Sequence, residues 1–389
     1  MTHWEQIQLG ELMPPRSGTI DPRDYPNETF ELYSIPAFDT GRPERIPGSA
    51  IGSAKQLLQS GDVLLSRIVP HIRRAWVVAP ANGHRLIGSG EWIVFRSPRI
   101  HPEYLRQLLI SDRFHPEFMR TVAGVGGSLL RARPSGVALI KVPLPPIADQ
   151  RRIAEILDHA DGLIRKRDAA RLKSESLRES LFLASFSNKS SLWPKVKIGD
   201  LASAMRTGPF GSQLLHSEFT SAGIAVLGID NVVQNRFLWG RPRFISEPKF
   251  HELERYRVFA QDVLITIMAT CGKCAIVPDD IPPSISTKHL CCITLDGTKC
   301  FPRYLHACFL HHPEVLNQLG IRERGAVMPG LNMGIIENLA IPLPPIDLQR
   351  RFGEQVAEIE KNCDTERDGM LHMTAFFHSL QHAAFRGEV

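Results

Sequence analysis

VPLPPIADQRRI, residues 142–153, returns as IPLPPIDLQRRF, residues 341–352, each time ahead of a charged stretch with apolar residues at helical spacing. Followed outward, the repeat grows. At a constant offset of 199, Gln150, Arg151 and Arg152 fall on Gln349, Arg350 and Arg351, and Ser180, Leu181, Ala184 and Phe186 fall on Ser379, Leu380, Ala383 and Phe385. Upstream, GDVLLSRIVPHIRRAWVV (61–78) aligns with QDVLITIMATCGKCAIVP (261–278) and HPEYL (101–105) with FPRYL (301–305), both at offset 200. WEQIQLGEL (4–12) matches WPKVKIGDL (193–201). A chain of 389 residues exceeds the size at which one core keeps growing, so a tandem duplication is the economical reading.

Within each copy, short apolar runs such as DVLLSRIV, WIVF, DVLITIM and LCCITL, punctuated by Gly and Pro, predict strands. PEYLRQLLISDRF and PRYLHACFLHH between them predict helices, so each globular block is a mixed α/β (α+β) domain. Proline fixes its own φ and biases its predecessor toward extended backbone, so each PLPP should stop a strand and aim the helix behind it. In the second copy Phe352, Val356, Ile359, Cys363, Met370, Met373, Phe377, Leu380 and Ala384 follow spacings of three and four. The first copy offers Ile153, Leu157, Ala160 and Ile164, then Leu172, Leu177 and Leu181. A helix of about 35 residues is roughly 50 Å long, more than one small domain covers. Two such narrow seams predict an antiparallel coiled-coil pair that relates the blocks by a pseudo-two-fold axis. The boundaries expected are 1–141 and 189–340 for the globular domains, with helices over 142–188 and 341–389.

The composition is that of a globular chain, 43% hydrophobic and 22% charged, with a formal charge of +5 that suits a polyanionic partner without naming one. No apolar run has the length of a membrane span and the N-terminus lacks the features of a secretory signal, so a soluble, cytoplasmic protein is expected. Seven cysteines, all between Cys271 and Cys363, do not form the pattern of a secreted disulfide framework.

A duplicated α/β block followed by PLPP-x-x-x-QRR and a long helix resembles the specificity (S) subunit of type I restriction-modification enzymes. TGPFGSQL (207–214), GIAVLGIDNV (223–232), DVLITI, CGKCAIV and the ending HAAFRGEV strengthen the resemblance. The first block departs from the pattern: it has no PFGS, and PPRSGTIDPRDYPNETFELYSIPAFDTG is only loosely similar. The resemblance implies a DNA reader without catalysis or cofactor of its own. Two target recognition domains would each read half of a bipartite double-stranded site while the helices set the spacer. Two modification (methyltransferase) subunits, bringing S-adenosylmethionine, and two restriction subunits, bringing ATP-dependent cleavage, would assemble around them.

The residues agree with that division. No phosphate-binding G-x-x-x-x-G-K-[ST] loop or dinucleotide fingerprint occurs, and none of the Pro-Pro pairs is preceded by the Asp or Asn of the amino-methyltransferases. DNA contact needs Arg and Lys for phosphates, and Arg, Asn or Gln for base edges, on loops that enter a groove. The repeat register sets Arg73 opposite Lys273, with Arg74 beside it, and Arg133 opposite Asn332. GVGGSLLRARPSG adds Arg131 and IRERGAVMPGLNMG adds Arg322 and Arg324, while the TGPFGSQL region offers Arg206, Ser212 and Gln213. Phe210 reads as a buried anchor for its loop rather than an intercalating wedge. Gln150, Arg151 and Arg152, with Gln349, Arg350 and Arg351, could cap the PLPP carbonyls or touch a modification subunit. Two other readings stay open: a pseudo-symmetric scaffold with no DNA, and a zinc-binding enzyme using Cys271, Cys274, Cys291, Cys292 and His289, against which stands the adjacency of the second cysteine pair.

Overall fold

The structure is a computed structural model that describes residues 4–15, 18–124, 130–321 and 330–388. By its internal contacts the chain divides into two units, Met1–Ala169 with Asp368–Val389, and Ala170–Arg367. Each mixes strands and helices, the α/β class expected. Among the described residues no helix is long and apolar enough to cross a membrane.

The first unit is organised on the strand Val63–Ser66, which pairs antiparallel with Ala75–Val77 on one side and Trp92–Phe95 on the other. All four residues are buried, as the unbroken apolar run requires of a strand covered on both faces. Val63 and Leu65 pack in the cluster that holds Tyr104, Leu105 and Leu108 of the helix Pro102–Leu109. Leu64 faces the other way, onto Tyr33, Trp92 and Trp76. The second unit repeats this around Val263–Thr266, between Cys274–Ile276 and Leu290–Leu295. There Val263 and Ile265 meet Tyr304 and Leu305 of the helix Pro302–His311, and Leu264 meets Leu227 and Val258. Each unit also has a second sheet containing one parallel pairing, Thr29–Tyr33 with Arg85–Gly88 and Ile224–Leu227 with Ser284–Ser286.

The second unit differs by one strand. Ala202–Thr207 pairs with Leu290–Leu295 and makes its sheet four-stranded, whereas no described strand of the first unit adds to Trp92–Phe95 in this way.

The proline-rich joints fold alike. Lys141–Leu144 pairs with Glu5–Gln8, and Ala340–Pro342 with Lys195–Lys197, in short two-stranded ladders that tolerate proline at an edge. The Tyr104 hydroxyl donates to the Pro143 carbonyl at 3.0 Å and the Tyr304 hydroxyl to that of Pro342. The helices that follow run Ile147–Phe186 and Ile346–Ala384.

Both helices cross from one unit to the other. The first helix ends in the core of the second unit, where the Phe186 ring meets Tyr304 edge-on at 5.1 Å and Phe352 at 5.3 Å. The second ends in the core of the first unit, where Phe385 meets Tyr104 edge-on at 5.7 Å, the Phe385 carbonyl accepts from Arg113 and the Gln381 amide donates to the Gln107 carbonyl. Phe186 and Phe385 are the residues that the offset of 199 superimposes. One sequence expectation needs correcting here: Leu172 and Leu177 are exposed, and the buried face near the end of the first helix runs through Phe182 and Phe186.

Candidate nucleic-acid interface

Strand register decides which loops can act together. In the first unit Ser66 pairs with Trp92 and Leu65 with Ala75, so segments 67–74 and 89–91 leave the same end of the sheet. The Arg67 amide donates to the Glu91 carbonyl, the Ala132 amide to the Arg67 carbonyl, and Ile68 bridges to Arg131. Segment 130–133 is thereby laid beside the other two. Arg67 and Arg131 flank Glu91 at 3.6 and 3.3 Å. Arg73 reaches Asp112 at 2.6 Å, and its hydrogen bond holds that carboxyl below the usual carboxylate range. Arg74 is tucked in at 11% exposure against Asp39, so its positive charge braces the fold rather than facing solvent. Arg133 is exposed at the start of the short helix Pro134–Ala138, its amide donating to the Thr121 carbonyl. With Arg120, Glu117 and Lys141 it lines an open hollow of about 760 Å³.

The second unit gathers its loops in the same way. Thr207 pairs with Cys291, Thr266 with Leu290 and Ile265 with Cys274, so segments 208–213, 267–273 and 287–289 leave one end of the four-stranded sheet. Phe210, Ser212, Gln213 and Lys273 lie on these segments, and with them Met268 and Lys288, which sequence reasoning missed, and His289, which it weighed only as a zinc ligand. Strand endings would have shown them, because 287–289 is the segment that leads into LCCITL. Burial, then the neighbouring Lys288 and Arg243, lowers the His289 pKa and so favours the neutral imidazole. The first hairpin loop turns through the left-handed region at Val69 (φ 47°) and the second at Ala269 (φ 60°), an unfavourable conformation for valine in particular.

Several expectations change on this geometry. The Ser66 amide donates to the Arg74 carbonyl and the Thr266 amide to the Lys273 carbonyl, so Lys273 corresponds to Arg74, not Arg73; the second hairpin loop is one residue shorter. Arg206 is 12% exposed, and its guanidinium donates to the Arg257 carbonyl, the Thr294 hydroxyl and the Asp262 carboxylate, which commits it to the interior. Phe210 is not buried but 49% exposed. The Gln213 carbonyl oxygen already accepts from the Phe210 amide and the Tyr256 hydroxyl, while Ser212 is exposed. Asn332 is exposed and caps the helix Met333–Asn338 through the Ile335 amide at 2.9 Å, the position that Arg133 occupies ahead of Pro134–Ala138. Arg322 and Arg324 lie outside the described residues.

At the joints, glutamine and arginine part company. Buried Gln150 accepts from the His101 amide at 2.7 Å and donates to the Arg99 and Pro145 carbonyls. Buried Gln349 accepts from the Phe301 amide at 2.9 Å and donates to the Lys299 and Pro344 carbonyls. Both therefore fasten the PLPP segment to the loop before the domain's helix. Arg151, Arg152, Arg350 and Arg351 stand exposed in the first turns that follow, available to a partner.

The cysteines are packing residues. Adjacent Cys291 and Cys292 lie on opposite faces of one strand, the first with Cys274 and Tyr304, the second with Leu227 and Val258. Burial pushes the Cys291 thiol up to about 12, and raises Cys274 and Cys292 as well. Among the described residues no group of three or more potential metal ligands is gathered.

At its loop-bearing end the sheet gathers cations, polar side chains and an exposed aromatic, and comparison gives the class: residues 190–368 match the model of the type I restriction modification DNA specificity domain. The chain is similar to type I restriction enzyme specificity subunits. It is 23% identical over 249 residues to the MjaVIII specificity subunit of Methanocaldococcus jannaschii, covering 59% of this chain and 57% of that one. It is 21% identical over 281 residues to the EcoBI specificity subunit of Escherichia coli, covering 64% and 58%. The chain thus spans a little over half the length of these curated relatives. In fold it resembles a chain of a solved type I restriction-modification assembly, with a TM-score of 0.61, 20% identity and 99% and 98% of the two chains covered. The S subunit from M. genitalium gives a TM-score of 0.58 at 11% identity, with 98% and 96% covered.

Proposed function

We propose that this chain is the DNA-reading subunit of a type I modification and restriction complex, and that each of its two recognition domains reads one half of a bipartite duplex site. The observation that carries this is the repetition of one arrangement, in which loops with exposed or half-exposed cations leave the same end of a sheet, in two units whose loop sequences differ. Phosphate contacts position a protein on DNA without reading it, and diverged side chains between those contacts supply the reading. In the first domain the reading surface comprises Arg67, Arg73, Arg131 and Arg133. In the second it comprises Phe210, Ser212, Lys273, Lys288, His289 and Asn332. Arg74 and Arg206 support these surfaces from inside.

The long helices, paired antiparallel, would fix the separation of the half-sites, since readers of one DNA face are spaced in steps of about 34 Å per helical turn. Arg151, Arg152, Arg350 and Arg351 suit docking of two modification subunits, with two restriction subunits added to complete the complex. Methyl transfer and ATP-driven cleavage belong to those partners. Methylome sequencing of cells that express the chain with its cognate modification subunit tests this reading, with a strain lacking the chain as control. A bipartite motif that vanishes in the control is expected. Identical methylation in both strains would overturn the proposal and favour a scaffold that never touches DNA.

A further inference from the structure

Phe210 lies on a loop whose course is fixed from both sides. A Cβ at Gly208 would sit 2.1 Å from the Ser286 carbonyl oxygen, so no other residue fits against that strand. Gly211 turns the chain at φ 58°, a conformation that L side chains rarely adopt. The Gln213 amide oxygen then holds the Phe210 amide at 3.1 Å and the Tyr256 hydroxyl at 2.8 Å. On the strand that leads into the loop, Arg206 is locked to Asp262. A loop so constrained could bury its phenylalanine and gain stability by removing apolar surface from water. This one leaves the ring 49% exposed instead.

The surroundings name what the ring meets. The loop leaves the same sheet end as segments 267–273 and 287–289, which bring Lys273, Lys288 and His289. A second apolar side chain, Met268, is exposed there too. Phenylalanine has no hydrogen-bonding group with which to tell one base edge from another. Its means of acting on nucleic acid are stacking on a base face or entering between two bases, with cations alongside to hold the backbone.

We propose that Phe210 is a wedge that stacks against, and partly unstacks, one base step within the half-site read by the second domain. This rests on the DNA-reading function above. The specificity it confers is indirect, because flexible pyrimidine–purine steps open more readily than others. The first domain has no counterpart to this loop in its sequence, so the two half-sites differ in how they are read: one by polar and charged side chains, the other with an added deformation.

The test uses the full chain in complex with its modification subunit and duplexes that carry the motif recovered from the methylome. 2-Aminopurine or pyrrolo-cytosine replaces one base at a time through each half-site. Apart from the target base of each half-site, which the modification subunits extrude for methylation, wild-type complex should raise the fluorescence at one step of the second half-site only. F210A should abolish that rise and weaken binding by about 5- to 150-fold, the span of one base–aromatic stack. F210W should retain both, which separates the wedge from a loop that merely needs an aromatic to fold only if the salt dependence of F210A binding is unchanged, as expected for intact phosphate contacts. An F210A complex with unchanged fluorescence and affinity overturns the wedge and leaves the DNA-reading function standing. A wild-type complex without affinity for any duplex overturns both.

Discussion

The two units solve one problem with different residues. Asp62 and Asp262 occupy the same place, just before the central strand, and both carboxylates are fully buried. Each accepts a backbone amide three residues upstream, Gln59 or Phe259, at 2.8 Å. Each also needs a guanidinium, because a buried lone carboxylate is costly. In the first unit Arg96, just beyond Trp92–Phe95, supplies it with two bonds of 2.6 Å. In the second it comes from Arg206, on the additional strand Ala202–Thr207, and Thr294 donates as well. What the duplication preserves is thus the charge at a position, not the residue that neutralises it. Strands outside the shared hub were free to change, provided the buried carboxylate kept a partner.

That comparison can be broken, beginning where the effect is largest. Asp262→Ala strands Arg206 in the interior and should destabilise the second unit by about 3–5 kcal/mol. Asp62→Ala should cost the first unit only about 2 kcal/mol, because Arg96 is 30% exposed and water can replace its partner. Urea unfolding followed by hydrogen exchange reads the two units separately, and equal losses would sink the distinction. Next come the joints, where the units do agree. Gln150→Leu and Gln349→Leu each orphan one amide and two carbonyls, so both should cost about 3 kcal/mol and match within about 1 kcal/mol. A loss confined to one of them would mean that the joints are not equivalent.

Smaller effects are expected at the proposed reading surfaces. Arg133→Ala removes an exposed side chain, so stability should change by less than about 0.5 kcal/mol. Recognition of the first half-site should weaken by about 1–2 kcal/mol, seen in the methylome as tolerance at one or two positions. At the equivalent place, Asn332→Ala confounds reading with the loss of a helix cap worth about 1 kcal/mol, whereas Asn332→Asp keeps the cap. Only relaxed specificity in the second half-site with Asn332→Asp supports a base contact there; unchanged methylation with both substitutions removes these two positions from the interface. Smallest is Gln261→Gly. Gln261 adopts φ 65° where the first unit has Gly61 at φ 84°. Relief of that conformation should outweigh the exposed bond to Asp279 and stabilise the second unit by about 0.5 kcal/mol. Thermal unfolding that moves downward would contradict this.

Much of the architecture was readable because duplication makes a sequence its own comparison. The offset of 199 identified Gln150 with Gln349 and Phe186 with Phe385, and these pairs do the same work in the folded chain. Repetition failed where the copies differ in length. The second hairpin loop is a residue shorter, so a constant offset paired Lys273 with Arg73 when hydrogen bonding pairs it with Arg74. It was silent where one copy has an element the other lacks. Arg206 looked like a loop cation because its strand has no counterpart, and Phe210 looked like an anchor because a lone phenylalanine usually is one. The gathering of segments 267–273 and 287–289 depends on strand register, which apolar patterning gives only to the nearest residue or two.

The exchange of helix ends also orders events in time. The second unit is an unbroken stretch, Ala170–Arg367, with every residue of its core present once that stretch has left the ribosome. The first unit begins at Met1 yet takes Ala384 and Phe385 into its core. Of the two units, the one that comes first in the sequence is therefore completed after the other. Until Asp368–Val389 follow, the site beside Tyr104 that Phe385 fills stays open, and a chain broken off before them should betray itself by that exposed apolar surface.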